Sequence, residues 1–98
     1  MSKSPNAPKD LSAAGKRLWR SILRDWEISD SAHLAVLREG LLARDRAESC
    51  RQRINADGET IVDRFNQVKV HPLIAAERDS RSAFIQAIKS LGLDPQEL

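Results

Sequence analysis

Ninety-eight residues make one domain's worth of chain, and a compact fold of this size buries roughly two-thirds of its unfolded surface. An apolar fraction of 41%, a charged fraction of 31% and a mean hydropathy of -0.47 exclude both a disordered tail and a membrane-embedded protein. Sixteen Lys and Arg against fourteen Asp and Glu leave a net charge of +2, which is no nucleic-acid signature in itself, and Cys50 as sole cysteine excludes an intrachain disulfide or a redox pair.

Met1 to Lys9 carries Ser, Asn, Lys and two prolines without periodicity, so it reads as a flexible arm with no signal-peptide character. Asp10 or Ser12 is positioned to cap helix 1, predicted over about Ser12 to Trp26. Leu18, Trp19, Ile22, Leu23 and Trp26 fall on one helical stripe, opposite Lys16, Arg17, Arg20 and Arg24. The shared apolar phase of Trp19 and Trp26 predicts core roles for both rather than base stacking. Gly15 is expected to weaken the first turn by roughly 1 kcal/mol relative to Ala.

Asp30 caps a long second helix, predicted to run to about Asn55. Its apolar pattern changes along the way. Leu34, Ala35, Val36, Leu37, Leu41 and Leu42 nearly encircle the first turns, whereas Ala43, Ala47, Cys50 and Ile54 make one narrow stripe. That breadth predicts cover from more than one side, with a second copy of the chain meeting Leu34, Leu37, Leu41 and Leu42. Arg44, Asp45, Arg46, Glu48, Arg51 and Arg53 predict a solvated face laced with ion pairs, Arg44 and Glu48 being four apart.

Turn chemistry at Asn55 to Gly58 ends the helix, through a left-handed residue at Gly58 or Asn55. Two β-branched runs, Thr60 to Val62 and Val68 to Val70, then read as a short hairpin or an extended loop; a lone hairpin would have to pack on something. Pro72 opens helix 3, in which Leu73, Ala76, Ser80, Phe84, Ala87, Ile88 and Leu91 share a face, and Gly92 closes it. The expected fold is mainly α: three helices, the central one long, with a small β-hairpin between helices 2 and 3. One helical domain, residues 10 to 95, lies between the arm and a three-residue tail.

Catalytic constellations are not evident. His33 and His71 are far apart and have no partner at metal-ligand spacing, so neither a metal nor a cofactor is expected. Cys50 sits on the small-residue stripe without a base and reads as a small buried hydrophobe. The four glycines are isolated and form no phosphate loop. The basic row Arg17, Arg20 and Arg24, at i, i+3 and i+7, is the best candidate site: it could follow a phosphate backbone, or pair with Asp25, Glu27 or acids of another helix.

Taken in order, Leu11-Ser-Ala-Ala-Gly-Lys-Arg-Leu-Trp19, Ile28-Ser-Asp-Ser-Ala-His-Leu-Ala-Val-Leu37, Val68-Lys-Val-His-Pro-Leu73 and Leu91-Gly-Leu-Asp-Pro95 resemble the P27-like family of phage terminase small subunits. The resemblance covers about residues 10 to 95, with departures at Gly40, Leu41 and Arg44, where family members often carry tyrosines. It implies a non-catalytic component of a genome-packaging motor: a homo-oligomeric ring that recognises double-stranded viral DNA and hands it to the terminase large subunit. It further implies residence in the cytoplasm of the infected bacterial host, outside the mature virion. On this reading Lys3, Lys9, Lys16, Arg17, Arg20 and Arg24 contact DNA, no membrane is involved, and Leu34, Leu37, Leu41 and Leu42 meet the next subunit. An alternative from another class is a helical protein-interaction module, or small regulator, of a prophage or satellite element that does not bind DNA directly.

Overall fold

The computed structural model describes residues 5–98. In chain order they form α1 (Ala13–Asp25), α2 (Ser31–Asp57), β1 (Thr60–Val62), β2 (Val68–Val70), α3 (Leu73–Ser90) and a terminal 3-10 turn (Pro95–Glu97). The fold is therefore mainly helical, with a two-stranded antiparallel hairpin between α2 and α3. No helix among the described residues is long and apolar enough to cross a membrane.

Each helix starts where a side chain satisfies its free amides. Ser12 caps α1 by accepting from the Gly15 amide, and Asp30 caps α2 by accepting from the His33 amide. The other candidate cap, Asp10, instead pairs with Arg38 of α2. At the start of α3, His71 Nδ1 accepts from the Leu73 amide at 3.1 Å. That ring nitrogen is thereby unprotonated, so Nε2 carries the hydrogen and donates it to Asp57 Oδ2, 2.9 Å away. The buried His71 therefore ties the end of α2 to the beginning of α3, a structural role. α2 outlasts its expected end by two residues and stops at Gly58, whose φ of 88° suits glycine.

The helices α2 and α3 run antiparallel, Gly40 facing Ala87, Glu48 facing Arg81 and Asp57 facing His71. Across one end lies α1, and there the core gathers Leu11, Trp19, Ile22, Leu37, Leu41, Ile88 and Leu93. Full burial of side chains such as Ile22, Leu37 and Ile88 contributes about 1.5–3 kcal/mol each. Beyond α1 the two-helix layer is held by the narrower set Ala47, Cys50, Ile54 and Ser80, and the molecule becomes a rod of 62 × 22 × 21 Å. Cys50 is a buried free thiol, as its phase implies.

Three expectations need correction. Leu37 and Leu41 are 0% exposed in a single chain, because α1 and α3 cover both flanks of the first turns of α2; these two leucines are core, not subunit interface. Leu34 and Leu42 are half-buried against the same cluster. The described part of the arm is docked rather than loose, since the Pro5 carbonyl accepts from Trp19 Nε1 at 3.1 Å and Ala7 packs on the core. Finally, Glu48 does not pair with Arg44. It meets Arg81 of α3, which also bonds Glu77, and Arg51 approaches Glu77 at 3.6 Å. The charged face is therefore partly an inter-helix seam, and its two carboxylates hold the Arg81 pKa above the ordinary guanidinium value despite the opposing effect of burial.

Candidate nucleic-acid interface

The orientation of α1 is set by a contact at its first turn. Asp45 of α2 accepts from the Ser12 amide and from the Ser12 hydroxyl, both at 2.7 Å, while the same hydroxyl caps the Gly15 amide. A Cβ at position 15 would stand 2.9 Å from both Asp45 carboxylate oxygens, so Gly15 permits this approach. The Leu11-Ser12-x-x-Gly15 segment is thus a docking device. At the next turns Trp19 and Ile22 enter the core, which obliges residues on the far side to face solvent.

Arg17, Arg20 and Arg24 are exposed on that far side, and Lys16 is half-buried beside them. Arg24 leans on Asp25 at 3.2 Å and on the Ser21 hydroxyl. Arg17, Arg20 and Lys16 make no ion pair among the described residues. Among the described residues the intramolecular alternative therefore holds for Arg24 alone. With a rise of about 1.5 Å per residue, Arg17 and Arg24 are separated by ~10 Å along the axis. An open recess of about 380 Å³ beside them is lined by Pro5, Asn6, Ala7, Lys16 and Arg20. The exposed Lys9 lies just before α1, and Lys3 falls outside the described residues. The sequence-predicted cations from Lys16 to Arg24 accordingly share one solvent-facing surface.

Elsewhere the histidines and Asp57 have structural partners, whereas Arg44, Arg46 and Lys89 make no ion pair among the described residues. His33 is exposed and its Nδ1 meets Asp30, the cap of its own helix. Asp57 is held below the usual carboxylate range by its hydrogen bonds from His71 and Arg53. Among the described residues no three His, Cys, Asp or Glu gather as metal ligands.

Sequence reasoning missed two features. Asp45, read as one member of a charged face, fixes α1; only its tertiary partner Ser12 reveals this. The hairpin, expected to pack on something, exposes most of its apolar side chains in the single chain, and alternation over three-residue strands is too short to have signalled which face would be open.

Comparison of the chain with family models, with characterised proteins and with solved structures finds no match.

Proposed function

We propose that this chain is the small terminase subunit of a phage or prophage, a non-catalytic ring that binds double-stranded viral DNA and recruits it to the large terminase subunit for genome packaging. The reading places it in the cytoplasm of the infected host and outside the mature virion. Its support is the resemblance of four segments in register and, in the structure, one observation above all: Arg17 and Arg20 project from α1 with no acidic partner among the described residues. Exposed guanidinium groups without carboxylates are free to take phosphate oxygens. One chain at +2 attracts DNA weakly, but assembly repeats the row at every subunit and builds a positive track.

Titration of a labelled duplex into wild type and Arg17→Ala/Arg20→Ala at two salt concentrations tests this. Both side chains are exposed and make no ion pair among the described residues, so the variant should keep its melting temperature while its affinity falls and its salt dependence flattens, each lost phosphate contact removing about 0.9 from the log–log slope. Equal affinity of variant and wild type at low salt would remove α1 from any DNA site. The protein-binding alternative then gains, favoured by the apolar hairpin face.

A further inference from the structure

Four of the chain's large apolar side chains lie open on one short segment. Val62 is 61% exposed, Phe65 67%, Val68 71% and Val70 65%. The strand register explains why. Thr60 pairs with Val70, Ile61 with Lys69 and Val62 with Val68, so Thr60, Val62, Val68 and Val70 share one face of the ribbon while Ile61 and Lys69 share the other. The open face carries no charged residue. Lys69, on the opposite face, is paired with Asp63 at 3.2 Å.

The same four residues carry the unused backbone groups of the ribbon. Hydrogen bonds from the Asp63 amide to the Gln67 carbonyl and from the His71 amide to the Glu59 carbonyl mark those pairs, and Ile61 with Lys69 between them, as the bonded ones. Thr60, Val62, Val68 and Val70 therefore turn their N–H and C=O groups outward, along two open edges of a sheet with only two strands. A two-stranded ribbon is marginal alone, and this one is seated on the helices mainly at its root, where His71 meets Asp57 and Glu59. An uncharged β-branched face with open edges is what natural sheets blunt with lysine or proline unless a partner covers it.

We infer that the hairpin is the self-association element of this protein, and that its Thr60, Val62, Val68 and Val70 face is covered by a second copy of the chain. The inference takes self-assembly from the proposed function and supplies its contact. A second copy fits for a reason of charge. Segment 59–70 holds Glu59, Asp63, Arg64 and Lys69, two of each sign, so identical hairpins approach without net repulsion. The same neutrality makes it a poor attractor for a polyanion. Arg64 lies over one face of the Phe65 ring, 4.9 Å from its centroid, and leaves Phe65 otherwise open. With Leu37 and Leu41 enclosed by their own chain, the hairpin rather than the first turns of α2 offers the apolar contact that assembly requires.

Sedimentation equilibrium of the wild type and two variants tests this, with helicity followed by circular dichroism. Val62→Thr/Val68→Thr/Val70→Thr keeps shape and strand propensity; Val62→Lys/Val68→Glu puts an opposite-charge pair at two opposed positions. Wild type should exceed its 11.0 kDa monomer mass, and both variants should associate roughly tenfold or more weakly with unchanged helicity. A monomeric wild type at every accessible concentration overturns the inference and leaves the face to another partner. So does a helical variant of either kind that associates as tightly as wild type. Duplex binding measured on the same samples separates the two readings. Association without DNA binding strikes only the terminase reading, association with DNA binding that neither hairpin variant weakens strikes only this one, and a wild type that stays monomeric strikes both.

Discussion

At Gly40 an added Cβ would stand 2.7 Å from the Ala87 Cβ, closer than two such atoms ever pack. The crossing of α2 and α3 is therefore set by a hydrogen atom on one helix and a methyl group on the other. In a solvent-facing helix Gly→Ala would gain about 1 kcal/mol of helix propensity. Here overpacking of a closed interface, worth about 1–3 kcal/mol, opposes that gain and exceeds it. Gly40→Ala should lower the melting temperature by several degrees, and a thermal melt that moved upward instead would show that the helices part freely. Gly15 follows the same logic against the Asp45 carboxylate, but there the neighbour is a side chain held by two hydrogen bonds rather than a helix wall.

Among the elements, the hairpin owes its shape to one carboxylate. Asp63 Oδ1 accepts from the amides of Phe65 and Gln67 at 2.8 and 3.0 Å, and Asn66 closes the turn in the left-handed region at φ 61°. Its hydrogen bond from Gln67, with those from Lys69 and Phe65, keeps the Asp63 pKa below the ordinary value. A carboxyl group depressed on folding contributes stability above its unfolded pKa, about 3.9, and loses that contribution as pH falls through the folded value. The turn should thus be steady from pH 7 to 5 and loosen below about pH 4, with Asp57 acting in the same direction at the root of the hairpin. Asp63→Asn should weaken hairpin amide protection at pH 6, and the gap from wild type should close toward pH 3. A gap that stayed constant with pH would mean that charge at Asp63 has no part in the turn.

For the whole molecule the telling quantity is shape. Its Cα radius of gyration is 16.4 Å, whereas a compact domain of this length has about 13 Å. The excess comes from the unequal ends: α1 thickens one, while the other is a helix pair carrying the hairpin. Stability must be unequal too, because opening free energy follows the buried apolar contacts of each region. Hydrogen exchange should show the slowest amides around Leu37, Leu41 and Ile88 and the fastest in β1 and β2, with the far half of α2 between them. Uniform protection from end to end would contradict this gradient. In an assembled sample, the amides of Val62 and Val68 should slow preferentially if the hairpin face is covered.

Local chemistry was enough to place most of the fold. The periodicity of α1 and α3, the cap at Asp30 and the β-branched runs all depend on neighbours within a few residues, so three helices were legible in the sequence, while the choices between Asp10 and Ser12, Asn55 and Gly58, and hairpin and extended loop stayed open. It likewise put Arg17, Arg20 and Arg24 on one side of α1, since opposition to Trp19 and Ile22 is a matter of helical phase. Which of those arginines remain unpaired, and which apolar face is left open, depended on residues distant in the chain. Asp45 could turn to Ser12, Glu48 to Arg81 and His71 to Asp57 only once the helices had packed. Leu37 and Leu41 show the same division: the sequence carried their need for burial, and tertiary structure decided that α1 and α3 meet it, leaving the valines of the hairpin as the apolar surface still uncovered.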